Sequence, residues 1–139
     1  MARRTEAAFV LDSWAVLAWF QGERAAQAVS DLLMLASEQE VPLLIPVINA
    51  AEVWYIIARE VSPAEADAAV AALRNLGVEF VDVGWELARA AGTIKAQHAL
   101  SFADCFAAAL AAARQAELLT GDREFEPLSG ELRMRWLES

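Results

Sequence analysis

Short apolar runs recur along this chain, each closed by a polar or turn residue and separated from the next by stretches of helical periodicity. The runs fall at residues 7–11, 43–45, 78–83 and 118–120, with a last one at 132–136 beyond a turn at Pro127. Such runs read as buried strands, whereas apolar residues spaced by three and four mark one face of a helix. Helices are expected over 14–20, 23–40 (stripe Ala26, Val29, Leu32, Leu33, Ala36), 47–61, 85–99 and 101–115. Another is opened by Ser62 as N-cap with Pro63 at its first position, and it stops at Gly77. Strands that alternate with helices and are apolar throughout require a parallel sheet covered on both faces. The fold class expected is therefore α/β, a sandwich built as one domain over residues 1–139.

Composition narrows the chemistry. A 58% hydrophobic content excludes a disordered chain. One cysteine, Cys105, excludes a disulfide framework and a thiolate zinc site, and it suits a reducing cytoplasm. One histidine, His98, excludes any mechanism that needs two imidazoles, and its place before the Leu100-Ser101 turn marks it as a helix-end residue. The uncharged stretches at 41–51 and 105–113 are too short to span a bilayer. The start, Met1-Ala2-Arg3-Arg4, has the positive flank of a signal peptide but too short an apolar run after it. A net charge of −9 weighs against a nucleic-acid binder. Ten of the eleven basic residues are arginine, the side chain better suited to bidentate phosphate contact.

If the chain is a hydrolase, carboxylates must do the work. In open α/β sheets the functional crevice lies beyond the carboxyl ends of the strands. Asp12 directly follows the first strand, Asp122 directly follows the fourth, and Asp104 falls in the first turn of a helix. Each has a plainer role available: Asp12 as helix cap, Asp104 as the capping-box partner of Ser101, Asp122 as a turn residue after Gly121. Glu52 resists that treatment, because its helical neighbours Ile48, Asn49, Tyr55 and Ile56 are mostly apolar and an ionised carboxylate among them is costly. Four acids in one crevice raise one another's pKa values unless cations hold them ionised. An all-oxygen ligand set selects Mg²⁺ or Mn²⁺ over zinc, and such ions coordinate phosphate and activate water. Ser13 and Thr120 flank the strand-end acids, able to bond a carboxylate or serve as ordinary strand-end hydroxyls.

Four blocks in order, Phe9-Val10-Leu11-Asp12-Ser13, Asn49-Ala50-Ala51-Glu52-Val53, Ser101 through Ala109, and Leu118-Leu119-Thr120-Gly121-Asp122-Arg123-Glu124-Phe125, resemble PIN-domain nucleases. The subgroup they are most similar to is the VapC-type toxins of bacterial toxin–antitoxin pairs. The resemblance covers nearly the whole chain. It implies a PIN-like three-layer sandwich with a mainly parallel central sheet in the order 3-2-1-4-5 and helices on both faces. It also implies an Mg²⁺- or Mn²⁺-dependent endoribonuclease with catalytic metal ligands Asp12, Glu52, Asp104 and Asp122, leaving 5′-phosphate and 3′-hydroxyl ends. The partners it implies are an RNA substrate, a cognate antitoxin and a second copy in a homodimer. Glu124 stands where the family often carries a further aspartate, which makes it an auxiliary candidate with Ser13 and Thr120.

Arg123, beside Asp122, is the first candidate for substrate phosphate, ahead of Arg24, Arg89 and Lys95. Trp14 and Trp54 are core residues or the walls of an apolar groove for an antitoxin helix. Rival readings are a housekeeping PIN nuclease and a non-catalytic PIN-like interaction module. A haloacid-dehalogenase-like phosphatase needs a second aspartate where Trp14 stands. A phospho-acceptor receiver needs an acid after the third strand, where Gly84 stands, and a late lysine.

Overall fold

The structure, a computed structural model, describes residues 8–22 and 24–137. The basic start of the chain, Ala7 in the first expected strand and Glu23 at the head of the second expected helix lie outside them. The strands are β1 (Phe9–Leu11), β2 (Leu43–Pro46), β3 (Val78–Val81), β4 (Glu117–Thr120) and β5 (Met134–Trp136). They form one sheet in the order β3-β2-β1-β4-β5, and every neighbouring pair is parallel. The helices are α1 (Ser13–Phe20), α2 (Ala26–Glu38), α3 (Val47–Glu60), α4 (Pro63–Asn75), α5 (Trp85–Gln97) and α6 (Phe102–Arg114).

Alternation along the strands makes two cores. Phe9, Leu11, Leu43, Ile45 and Leu119 face the layer of α1, α2, α3 and α4. Val10, Leu44 and Leu118 face α5 and α6. A fully parallel sheet puts all carboxyl ends on one edge, and α1 and α3 start there because they follow β1 and β2 directly. That edge therefore gathers helix N-termini, whose partial positive charge favours anionic side chains.

Boundaries differ from expectation where backbone bonding ends before hydrophobicity does. β3 stops at Val81, so Asp82 and Val83 are loop, and α5 closes with His98 as its C-cap. The expected turn at Pro127 is a 3-10 helix, Arg123–Leu128, whose Phe125 and Leu128 plug the second core. Ser62 and Ser101 cap α4 and α6 as their spacing predicts, accepting from the N–H groups of Glu65 and Asp104. Among the described residues no helix is long and apolar enough to cross a membrane.

Candidate functional site

Adjacent central strands bring the first two acids together. β1 and β4 pair through Leu11 and Leu119, so Asp12 emerges beside Thr120. Asp12 is wholly buried. Its Oδ1 accepts from the Ala15 N–H at 2.8 Å, capping α1, and its Oδ2 accepts from Thr120 Oγ1 at 2.5 Å. Thr120 Oγ1 in turn accepts from the Asp122 N–H at 3.0 Å, and Asp122 Oδ1 accepts from the Glu124 N–H at 2.9 Å. One hydrogen-bonded chain thus links the end of β1 to the turn after β4.

α6 supplies Asp104, 7% exposed, in its first turn. One carboxylate oxygen each from Asp104, Asp122 and Glu124 lie within 4.8 Å of one another. Asp12 and Glu52 lie outside that trio and are coupled to it through charge, Asp12 with Asp104 and Asp122, Glu52 with Asp104. Burial raises the Asp12 carboxyl to about 8, against the pull of Thr120 and the Ala15 N–H, with the charges of Asp104 and Asp122 adding to the rise. Burial likewise raises Asp104 to about 6, opposed by Ser101 and reinforced by Asp122, Glu52 and Glu124. The five acids therefore share one field.

This donor set fits a hard divalent cation. Ligand oxygens around such an ion lie about 2.0–2.6 Å from it, hence at most about 4–5 Å apart across it. The trio meets that spacing with oxygens alone, and among the described residues neither a thiolate nor an imidazole is near enough to join it.

The family model of the PIN domain matches residues 9–130. The chain belongs to the PIN domain family. Solved structures with the same fold include VapBC2 from Rickettsia felis, bound to a DNA fragment from its promoter (TM-score 0.75, 16% identity, covering 94% of this chain and 99% of that one). DNA-bound VapBC from Salmonella typhimurium gives a TM-score of 0.72 at 21% identity, over 93% of this chain and 97% of that one. VapC20 of Mycobacterium tuberculosis, a Sarcin-Ricin loop cleaving toxin, gives 0.67 at 19% identity, over 86% and 94%. No curated protein matches the chain in sequence.

Within this PIN domain, the expected cost of burying Glu52 falls elsewhere. Glu52 is only half-buried, because Ile48 and Tyr55 beside it are themselves 38% and 46% exposed. The apolar residues at that spacing form an outward stripe rather than a core face, and Asp12 and Asp104 are the acids that lose water. Glu124, expected as auxiliary, has its carboxylate in the trio, whereas Asp12 and Glu52, expected as ligands, lie outside it.

Among the described residues Ser13 bonds no acid. Its Oγ donates to the Asn49 carbonyl at 3.3 Å, and Asn49 Nδ2 lies within bonding distance of Ser13 Oγ (3.2 Å) and of the Ala103 carbonyl (3.3 Å). Asn49, absent from the expected site, is fully buried and ties α3 to α1 and α6 one turn before Glu52. Its signal was a lone amide in an apolar helical segment, three residues ahead of an acid. Among the described residues its Oδ1 has no hydrogen-bond partner.

The tryptophans and arginines are also engaged. The Trp14 ring lies against Gly121, between Thr120 and Asp122, and Trp54 Nε1 donates to Asp67 on α4 at 2.9 Å. Neither lines the pocket of about 240 Å³ between α1, α3 and α4, whose walls include Phe20, Ile57, Val61 and Ala69. The Arg123 guanidinium sits 4.7 Å from the Trp136 ring centre and 3.4 Å from Glu126. Lys95 donates to the Leu100 carbonyl at 2.6 Å, while Arg24 and Arg89 are exposed.

Proposed function

We propose that this PIN domain is a divalent-metal-dependent endoribonuclease, the toxin of a toxin–antitoxin pair. The observation that carries the reading is the trio of carboxylate oxygens within 4.8 Å, flanked by Asp12 and Glu52. Isolated acids so close repel, and a shared cation is the simplest reason for a fold to gather them. Asp104, Asp122 and Glu124 would hold the ion, with Asp12 and Glu52 completing the ligand field. A bound Mg²⁺ or Mn²⁺ supplies positive charge toward phosphate oxygens and lowers the pKa of water, so that hydrolysis proceeds near neutral pH. Thr120 fixes the Asp12 carboxylate, Ser101 holds Asp104 at the head of α6, and Asn49 sets the angle of the helix that carries Glu52.

Support for RNA as substrate comes from the name of the VapC20 neighbour, and support for an antitoxin partner from the VapBC neighbours. The toxin reading includes a homodimer in the cytoplasm. The test is cleavage of RNA by the purified chain with Mn²⁺ or Mg²⁺ and with chelator. Asp104→Asn and Asp122→Asn should each lower the rate by about a hundredfold or more. Cleavage that persists in excess chelator would overturn the mechanism. Induced expression should arrest growth, and co-expression of a small protein encoded next to the gene should relieve it.

A further inference from the structure

Helix α3 carries an outward stripe that neither core uses. On an ideal helix Ile48, Glu52, Tyr55 and Arg59 fall within about 60° of one another. The buried face of α3 is Asn49, Ala50, Val53 and Ile57, and Ile48 and Tyr55 pack against neither core cluster. The Arg59 guanidinium lies 5.4 Å from the Tyr55 ring centre, and among the described residues it makes no ion pair. Glu52, on the same stripe, lies one turn beyond Asn49, whose Nδ2 is 3.3 Å from the carbonyl of Ala103, the residue before Asp104. An aromatic ring and an arginine therefore lie one and two turns along the helix from an acid of the cluster, Arg59 about 10 Å away along the axis.

We propose that Tyr55 and Arg59 form the platform on which a single-stranded RNA lies as it reaches the acidic cluster, a base stacking on Tyr55 and the adjoining phosphate meeting Arg59. The inference rests on the proposed function for its substrate. In a chain of net charge −9, a polyanion needs a local cation beside the acids, and Arg59 is on the face that carries Glu52. A stacked, splayed base is a feature of single strands, since the base faces of an A-form duplex are stacked on one another and closed to an aromatic ring.

The experiment measures anisotropy of a labelled ten-nucleotide single-stranded RNA in Mn²⁺, with Asp104→Asn as the common background so that the probe is not cut. Adding Tyr55→Ala should weaken binding about tenfold, and Tyr55→Phe should restore it. Adding Arg59→Ala should lower the salt dependence of log K by about 0.7. Arg114→Ala, at the far end of α6, removes the same charge and should leave both unchanged. Equal binding by all variants, or no binding by the background protein, overturns the platform. Sedimentation velocity supplies a further arm: a dimer lost on Tyr55→Ala with RNA binding unchanged gives the stripe to a second copy and also overturns it. RNA bound through Tyr55 but left uncut by the wild-type chain in Mn²⁺ would refute the nuclease and uphold the platform.

Discussion

Thr120 shows how one hydroxyl serves two acids. It donates to Asp12 and accepts from the Asp122 backbone; the bond to Asp12 is out of reach of water because both residues are wholly buried, and the bond from Asp122 is part-buried. Valine has the same shape without the hydroxyl. Thr120→Val leaves the Asp122 N–H and Asp12 Oδ2 each without its partner, and for the buried Asp12 oxygen that costs about 1–3 kcal/mol. The Thr120 bond also opposes the rise of Asp12, so its loss pushes that carboxyl above about 8. Cation binding should then need a higher pH, and calorimetric titration of Mn²⁺ at pH 7 and 8.5 checks it. An affinity that falls equally at both values would make Thr120 a merely structural residue. Asp12 and Thr120 were both visible in the sequence as strand-end polar residues. Thr120 was legible as a hydroxyl able to bond a carboxylate, but the strand order that sets it beside Asp12 came from the resemblance and not from local pattern.

At the scale of elements, strands and caps were legible because each rests on local signals: apolar runs, Ser62 before Pro63, Ser101 three residues before Asp104. The outward turn of α3 was not, since apolar neighbours at three and four residues are expected on a core face. Only the packing of α3 against the sheet and α4 shows that Asn49 and Val53 point inward while Ile48 and Tyr55 point out. The contact between α1 and the turn after β4 was equally hidden, as it joins residues 14 and 121. A Cβ on Gly121 would run into the Trp14 ring, so the indole in this place calls for glycine. Gly121→Ala should displace either the ring or the turn that carries Asp122, destabilising by about 1–3 kcal/mol as overpacking does and weakening Mn²⁺ binding. Adding Trp14→Leu should recover part of both losses, which thermal melts and titration of the two single and one double variant measure. Additive losses would show that the two residues do not act through this contact.

For the molecule as a whole, acids drawn from β1, α3, α6 and the turn after β4 bind their stability to protons and cations together. Unfolded aspartates titrate near 3.8, whereas folded Asp12 titrates near 8 and Asp104 near 6. Between about 4 and 8 the folded chain therefore holds more protons than the unfolded one, and the linkage relation makes stability fall as pH rises through that window. In chelator the melting temperature should decline from pH 5 to pH 8, and Asp12→Asn, which cannot ionise there, should flatten the decline. A cation that binds only the ionised cluster reverses the trend. At a hundredfold excess over its Kd it adds about 2.7 kcal/mol, but protons compete with it below about pH 8 and most strongly below about pH 6. The rise in melting temperature produced by Mn²⁺ should thus be several degrees at pH 8 and small at pH 5. A rise of equal size at both pH values would mean that the ion binds elsewhere, because only the buried acids give the site this proton dependence.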